Sequence, residues 1–114
     1  MPGPNDALKR TGERLNELNP LLQHRTRLGA LVLLSDADAL SFSRLKNLLK
    51  ETDGNLGAHL RKLEEAGYVG VKKEFVDRKP VSWYTLSDSG LKVLRKHLQA
   101  LGDVISAVNG RDKT

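Results

Sequence analysis

The sequence contains no cysteine, which excludes disulfides, thiolate metal sites and a cysteine-based redox sensor. It contains no apolar run near the ~20 residues that a membrane span requires, and its first residues lack the pattern of a secretory signal. The expectation is a cytoplasmic protein with no membrane partner. Catalytic signatures are missing too: there are no paired carboxylates, nucleophile elbow, phosphate-binding loop or HExxH. Asp36 and Asp38 read as acids of one loop and residues 87–90 as a helix start, so no catalytic residue and no enzyme activity is expected. The three histidines, His24, His59 and His97, stand far apart, and neither a metal nor another cofactor is expected. What the chain does have is an excess of positive charge. Its 19 Lys and Arg against 14 Asp and Glu give a net charge of +5, which favours polyanionic partners. At 114 residues it can build one modest core with appendages, but not two.

Residues 52–68, TDGNLGAHLRKLEEAGY, organise the rest. Thr52 is placed to cap a helix, Asp53 sits where the helix dipole favours a carboxylate, and Gly67 supplies the left-handed residue that ends it. The spacing predicts a helix over residues 53–66. Leu56, Leu60 and Leu63 form its apolar stripe, and away from them lie Asn55, Gly57, Ala58, Arg61 and Lys62. That face is small near the helix start and basic one turn later, as a helix entering a nucleic-acid groove would be. Gly57 costs about 1 kcal/mol against Ala inside a helix, which suggests close approach by another backbone or by nucleic acid. An amphipathic surface helix with a solvated mixed-charge face is the alternative.

Taken in order, residues 1–6 read as a frayed start, and Leu8, Leu15 and Leu18 place a short helix over residues 7–18, weakened by Gly12. Asn19 with Pro20 opens a further helix that runs to about Leu34. Its half over residues 28–34, LGALVLL, is apolar nearly all round and should be the central core helix. A loop over residues 35–39 leads to a short strand near Leu40. Ser41 then caps a helix with a Leu40–Leu45 staple and with Leu45, Leu48 and Leu49 facing inward. Only Lys50 and Glu51 separate Leu49 from Thr52, which is helix-turn-helix spacing.

After Gly67 the period becomes two: Val69 and Val71, then Tyr84 and Leu86, alternate on two runs separated by VDRKP. That predicts a hairpin with Asp77, Arg78 and Lys79 at its tip (residues 76–80), Lys72 and Lys73 on its first strand, and Trp83 opposite Tyr84 and Leu86, packed at its base. Basic tips also keep exposed hairpins soluble, so nucleic-acid contact is one of two readings. Ser87 caps a last helix, with Asp88 in its first turn. Leu91, Leu94, Leu98, Leu101, Ile105 and Val108 follow heptad spacing, the seam of a two-helix contact, and predict a dimer. The alternative is that the seam packs on the N-terminal helix of the same chain. Gly102 argues against a long rigid coiled coil, and residues 109–114 read as a polar tail.

With these residues in place, roughly residues 20–98 resemble the winged-helix transcription regulators, in particular the MarR-like and ArsR-like groups and the small single-domain archaeal and bacterial proteins related to them. The most specific stretches are TDGNLGAHLRKLEEAGYV, DRKP and LSDSG. The resemblance implies an α+β, mainly α, winged helix-turn-helix with a two-stranded wing and added N- and C-terminal helices. It implies a prokaryotic homodimer binding palindromic double-stranded DNA, with Gly54, Asn55, Gly57, Ala58, Arg61 and Lys62 facing the groove and Asp77, Arg78 and Lys79 forming the wing motif. Thr52 and Lys73 complete the expected DNA-binding set. Leu8, Leu15 and Leu18 are expected to join Leu91, Leu94, Leu98, Leu101, Ile105 and Val108 in dimerisation. Two departures stand out: Glu51 fills a turn position that is usually apolar, and Lys79 stands where MarR-like proteins usually carry arginine, the residue a narrow minor groove favours. Arg78 is expected to take that role. Cysteine-ligated metal sensing, common among ArsR-like proteins, is excluded.

The expected organisation is an arm over residues 1–19, a winged-helix unit over 20–87, a dimerisation helix over 88–109 and a tail over 110–114. A winged-helix module that binds protein or RNA without an operator is the competing function. The sequence identifies no operator, no direction of regulation and no small-molecule effector.

Overall fold

The computed structural model describes residues 4–110. In order the elements are α1 (Pro4–Asn16), a 3-10 turn (Pro20–Leu22), α2 (Arg25–Ser35), β1 (Leu40–Ser41), α3 (Phe42–Leu49), α4 (Asp53–Glu65), β2 (Val69–Val76), β3 (Lys79–Leu86) and α5 (Asp88–Asn109). The strands form one antiparallel sheet in the order β1-β3-β2. The hairpin is therefore backed by a third strand, with Leu40 opposite Tyr84 and Ser41 opposite Trp83.

Several helix starts have a local cause in a capping side chain. Asn19 Oδ1 accepts from the Leu21 N–H at 2.9 Å, Ser41 Oγ from Arg44 at 3.1 Å and Ser87 Oγ from Gly90 at 2.9 Å. Such caps satisfy donors that a helix start leaves without partners. Leucines close the core between them: Leu22, Leu31, Leu45, Leu56 and Leu63 are fully buried, joined by Leu34, Leu60 and Leu94. At ~1.5–3 kcal/mol for each buried leucine side chain, this cluster is the main force that seats α4 against α2 and α3.

Several expectations change. The helix expected from Pro20 to about Leu34 is two elements, because His24 interrupts it in an extended conformation and caps α2 with its ring, Nδ1 accepting from Thr26 N at 3.1 Å. α2 is central but not buried on every side, since Val32 reaches the surface. Leu48 is exposed too, so α3 faces the core through Leu45 and Leu49, with Phe42 packed beside them. α1 spans Pro4–Asn16 rather than residues 7–18, which leaves Leu18 beyond its end and Pro4 to Asp6 inside it, not frayed. The rest of the expected frayed start, residues 1–3, lies outside the described residues. At the other end Asn109 closes α5, and residues 111–114 of the expected tail also lie outside them.

α5 does have a partner in its own chain. α1 runs antiparallel beside it, with Arg14 Nε 3.0 Å from Asp103 Oδ2, and the N–H of Asn19 donates to His97 Nδ1 at 2.9 Å. The face of α5 buried in the chain carries Gly90, Leu94, His97 and Ala100. Of the expected seam, Leu94 belongs to the core and Leu91 and Leu101 are half-buried, whereas Leu98, Ile105 and Val108 are exposed, as are Leu8 and Leu15 on α1. This helix pair extends the molecule: the radius of gyration is 17.7 Å, against about 13 Å for a compact domain of this length.

Candidate nucleic-acid interface

The turn between α3 and α4 fixes the angle at which α4 is presented. Lys50 ends α3 in the left-handed region at φ 54°. Glu51 follows, its carboxylate accepting from Thr26 Oγ1 at 2.9 Å and lying 3.7 Å from Arg25 Nη2. Arg25 also donates to the Leu49 carbonyl at 3.0 Å. Thr26 is buried, and a buried hydroxyl requires a partner. Glu51, the acidic departure from an apolar turn residue, supplies that partner and ties the turn to α2.

Thr52 then caps α4, its Oγ1 accepting from Asn55 N at 3.2 Å. Gly67 closes it at φ 79°, a conformation that L side chains rarely adopt. Between these ends Leu56, Leu60 and Leu63 point into the core. Thr52, Gly54, Asn55, Ala58, Arg61 and Lys62 are exposed, and Gly57 is half-buried. A Cβ added at Gly54 or Gly57 would meet nothing within 4 Å. Among the described residues no backbone crosses Gly57, so the space that its missing side chain leaves is open outward.

Val69 and Val71 lie opposite Leu86 and Tyr84, and this base of the hairpin leans on α4. Burial pushes the Tyr84 phenol above its ordinary pKa, the Glu64 carboxylate adds to that, and the Arg61 guanidinium opposes it. Both charged groups stand on α4, so Tyr84 sits at the junction of wing and helix. Beyond the base, the strands run further than the sequence suggests. VDRKP is not a five-residue loop: Val76 pairs with Lys79, and only Asp77 and Arg78 form the turn. Their φ values of 52° and 66° are those of a type I′ turn, whose twist matches the strands it joins. Arg78 is thus at the apex and Lys79 is one step back on β3, with Lys73 exposed on β2. Trp83, half-buried at the wing base, donates from Nε1 to Glu74 Oε1 at 2.8 Å.

Among the described residues, Arg61, Lys62, Lys73, Arg78 and Lys79 make no ion pair. The expected DNA-binding residues therefore fall on two exposed places, the outer face of α4 and the wing, which share a junction at Tyr84. Phe75, exposed beside Pro80 on the wing, goes unnoticed in the sequence because alternation marks it for the inner face. The histidines also escape: the fold brings His24 against His59, ring centroids 4.1 Å apart. His97 is buried, and burial holds its pKa below the ordinary 6.5. No group of three metal-ligating side chains occurs among the described residues, and no helix among them is long and apolar enough to cross a membrane.

Comparison with known proteins places this geometry. Residues 26–105 match the family model described as a winged helix DNA-binding domain. An uncharacterized protein of Methanocaldococcus jannaschii is 33% identical over 72 residues, which cover 63% of this chain and 78% of that protein. A transcriptional regulator homologue of Pyrococcus horikoshii superposes with a TM-score of 0.74 at 30% identity, covering 94% of this chain and 98% of that one. A MarR-family transcriptional regulator of Streptomyces coelicolor, solved in complex with DNA, shares the fold at a TM-score of 0.65 and 24% identity, covering 94% of this chain and 72% of its own. The two solved structures are described as a transcriptional regulator homologue and a transcriptional regulator, and neither description is that of an enzyme. The chain belongs to the winged helix DNA-binding domain family.

Proposed function

We infer that this protein is a homodimeric, sequence-specific regulator of transcription in the cytoplasm, with α4 in the major groove and the wing over the flanking minor groove. The observation that carries this reading is the outer face of α4. It is held at both ends by Thr52 and Gly67, stays open at Gly54 and Gly57, and carries Arg61 and Lys62 without ion-pair partners. Asn55, Ala58, Arg61 and Lys62 would meet base edges and phosphates, with Gly54 and Gly57 admitting the backbone of α4 close to the groove wall. Thr52, whose oxygen already accepts a hydrogen bond as the cap, has its hydroxyl hydrogen left for a phosphate. Lys73, Arg78 and Lys79 would contact the backbone beside the minor groove, Arg78 entering furthest from its apex position.

One α4 and one wing make a small footprint for a specific site, and two-fold symmetry doubles it. The exposed apolar residues Leu8, Leu15, Leu98, Ile105 and Val108 on the projecting α1–α5 pair favour that location for the axis. Leu91 and Leu101 border the same surface, whereas Leu94 serves the core and Leu18 lies past the end of α1. Residues 20–87 then form the DNA-reading unit and residues 88–109 the dimerisation helix. Paired copies would hold two recognition helices about 34–36 Å apart. Selection of bound sequences from random duplex DNA tests this function. A palindromic motif is expected, and no enrichment over background would favour a winged-helix module that binds protein or RNA.

A further inference from the structure

His59 lies half-buried on the flank of α4, between Ala58 on the open face and Leu60 in the core. Its Nδ1 is 2.9 Å from Arg27 Nη1. A guanidinium can only donate, so Nδ1 must carry a lone pair and the ring must be neutral with its proton on Nε2. His24 is under the same constraint, because its Nδ1 accepts the Thr26 N–H at the start of α2. Two imidazoles in contact are thus each held as acceptors by donors that have no other role to take.

The neighbouring groups are themselves engaged. Arg27 also donates from Nε to the Leu21 carbonyl, which anchors its guanidinium. The carboxylate near the pair, Glu51, is engaged by Thr26 and Arg25. Lys62 stands one turn along α4 on the side of His59. A proton on His59 would set two cations face to face where a hydrogen bond had been.

We propose that His59 is a positioning residue of the DNA-binding helix: through Arg27 and His24 it holds α4 in its reading orientation while its own ring is neutral, and protonation of that ring releases it. The geometry stands by itself, and its consequence for DNA rests on the function proposed above. The His59 pKa lies below the ordinary 6.5, chiefly through burial and then through His24, Arg27 and Lys62, with Glu51 opposing them. The folded protein therefore binds fewer protons there than the unfolded chain. The stabilisation is complete above pH 6.5 and is lost as pH falls from 6.5 through the folded value. General attraction to phosphates runs the other way, since added positive charge strengthens it.

Nuclear magnetic resonance on the full chain, titrated from about pH 8 to about pH 5, tests the device without DNA. The His59 ring should show the Nε2-protonated tautomer at neutral pH and titrate below 6.5. Amide protection in α4, corrected for intrinsic exchange, should fall in the same window while the β2–β3 ladder holds. An Nδ1-protonated ring, a midpoint at or above 6.5, or flat α4 protection would overturn the proposal. On selected DNA, the preference for operator over random duplex should drop roughly tenfold across that range, the order of one lost hydrogen bond to a charged group. His59→Asn, which offers an oxygen near the Nδ1 position and does not titrate, should keep the preference constant, and a variant whose preference falls like the wild type would also overturn it. Failure to select any sequence would count against the regulator, whereas failure of the device is read from the ring and the amides.

Discussion

The carboxylate of Glu51 accepts the hydroxyl hydrogen of Thr26 at 2.9 Å, and this bond joins the turn before the recognition helix to the core helix α2. Thr26 is 1% exposed and the Glu51 side chain 15%, so water does not readily replace either partner. Glu51→Ala is expected to cost about 1–3 kcal/mol, because it strands a buried hydroxyl. Thr26→Val combined with Glu51→Leu removes both partners and should recover most of that loss. Urea unfolding midpoints at constant slope measure both. A Glu51→Ala protein within about 0.5 kcal/mol of wild type would show that the bond does not hold the turn.

Arg61→Ala should lower affinity for the selected operator more than for random duplex, because a base-edge bond from arginine is worth ~1–3 kcal/mol of discrimination. Fluorescence anisotropy on both duplexes at one salt concentration makes the comparison. An equal loss on both would assign Arg61 to phosphate.

Arg78→Ala with Lys79→Ala should act differently. Wing contacts to the backbone are electrostatic, so affinity should fall on every sequence and the logarithmic salt dependence should flatten by roughly one to two units. A slope equal to that of wild type would remove the wing from the interface.

Both ends of α4 are legible in the sequence because Thr52 and Gly67 perform backbone tasks that few residues perform, and its buried stripe is legible because Leu56, Leu60 and Leu63 follow the helical period. The wing turn is hidden for the opposite reason. Asp77 and Arg78 both adopt positive φ without the glycine that ordinarily announces such a turn, so a two-residue link is mistaken for a longer loop. The break before α2 is hidden because an imidazole cap is uncommon. Gly90 is visible as a glycine in a first helical turn, but its reason is tertiary: a Cβ there would overlap the carbonyl oxygen of Tyr68. The His24–His59 contact and the Glu51–Thr26 bond also join segments remote in sequence, and no local pattern encodes them. On α5, heptad spacing does not separate Leu94, which serves the chain's own core, from Leu98 and Ile105, which remain exposed.

That exposed surface bears on the central claim, that two copies read one duplex. Sedimentation at micromolar concentration, with and without the selected operator, tests it most directly. The wild-type chain is expected to run as a dimer and to bind as two chains per duplex. Leu98→Glu with Ile105→Glu should give a folded monomer with steeply reduced operator binding, circular dichroism confirming the fold. A wild-type monomer that binds its operator as one chain per duplex, or a double variant that remains a dimer, would contradict the account.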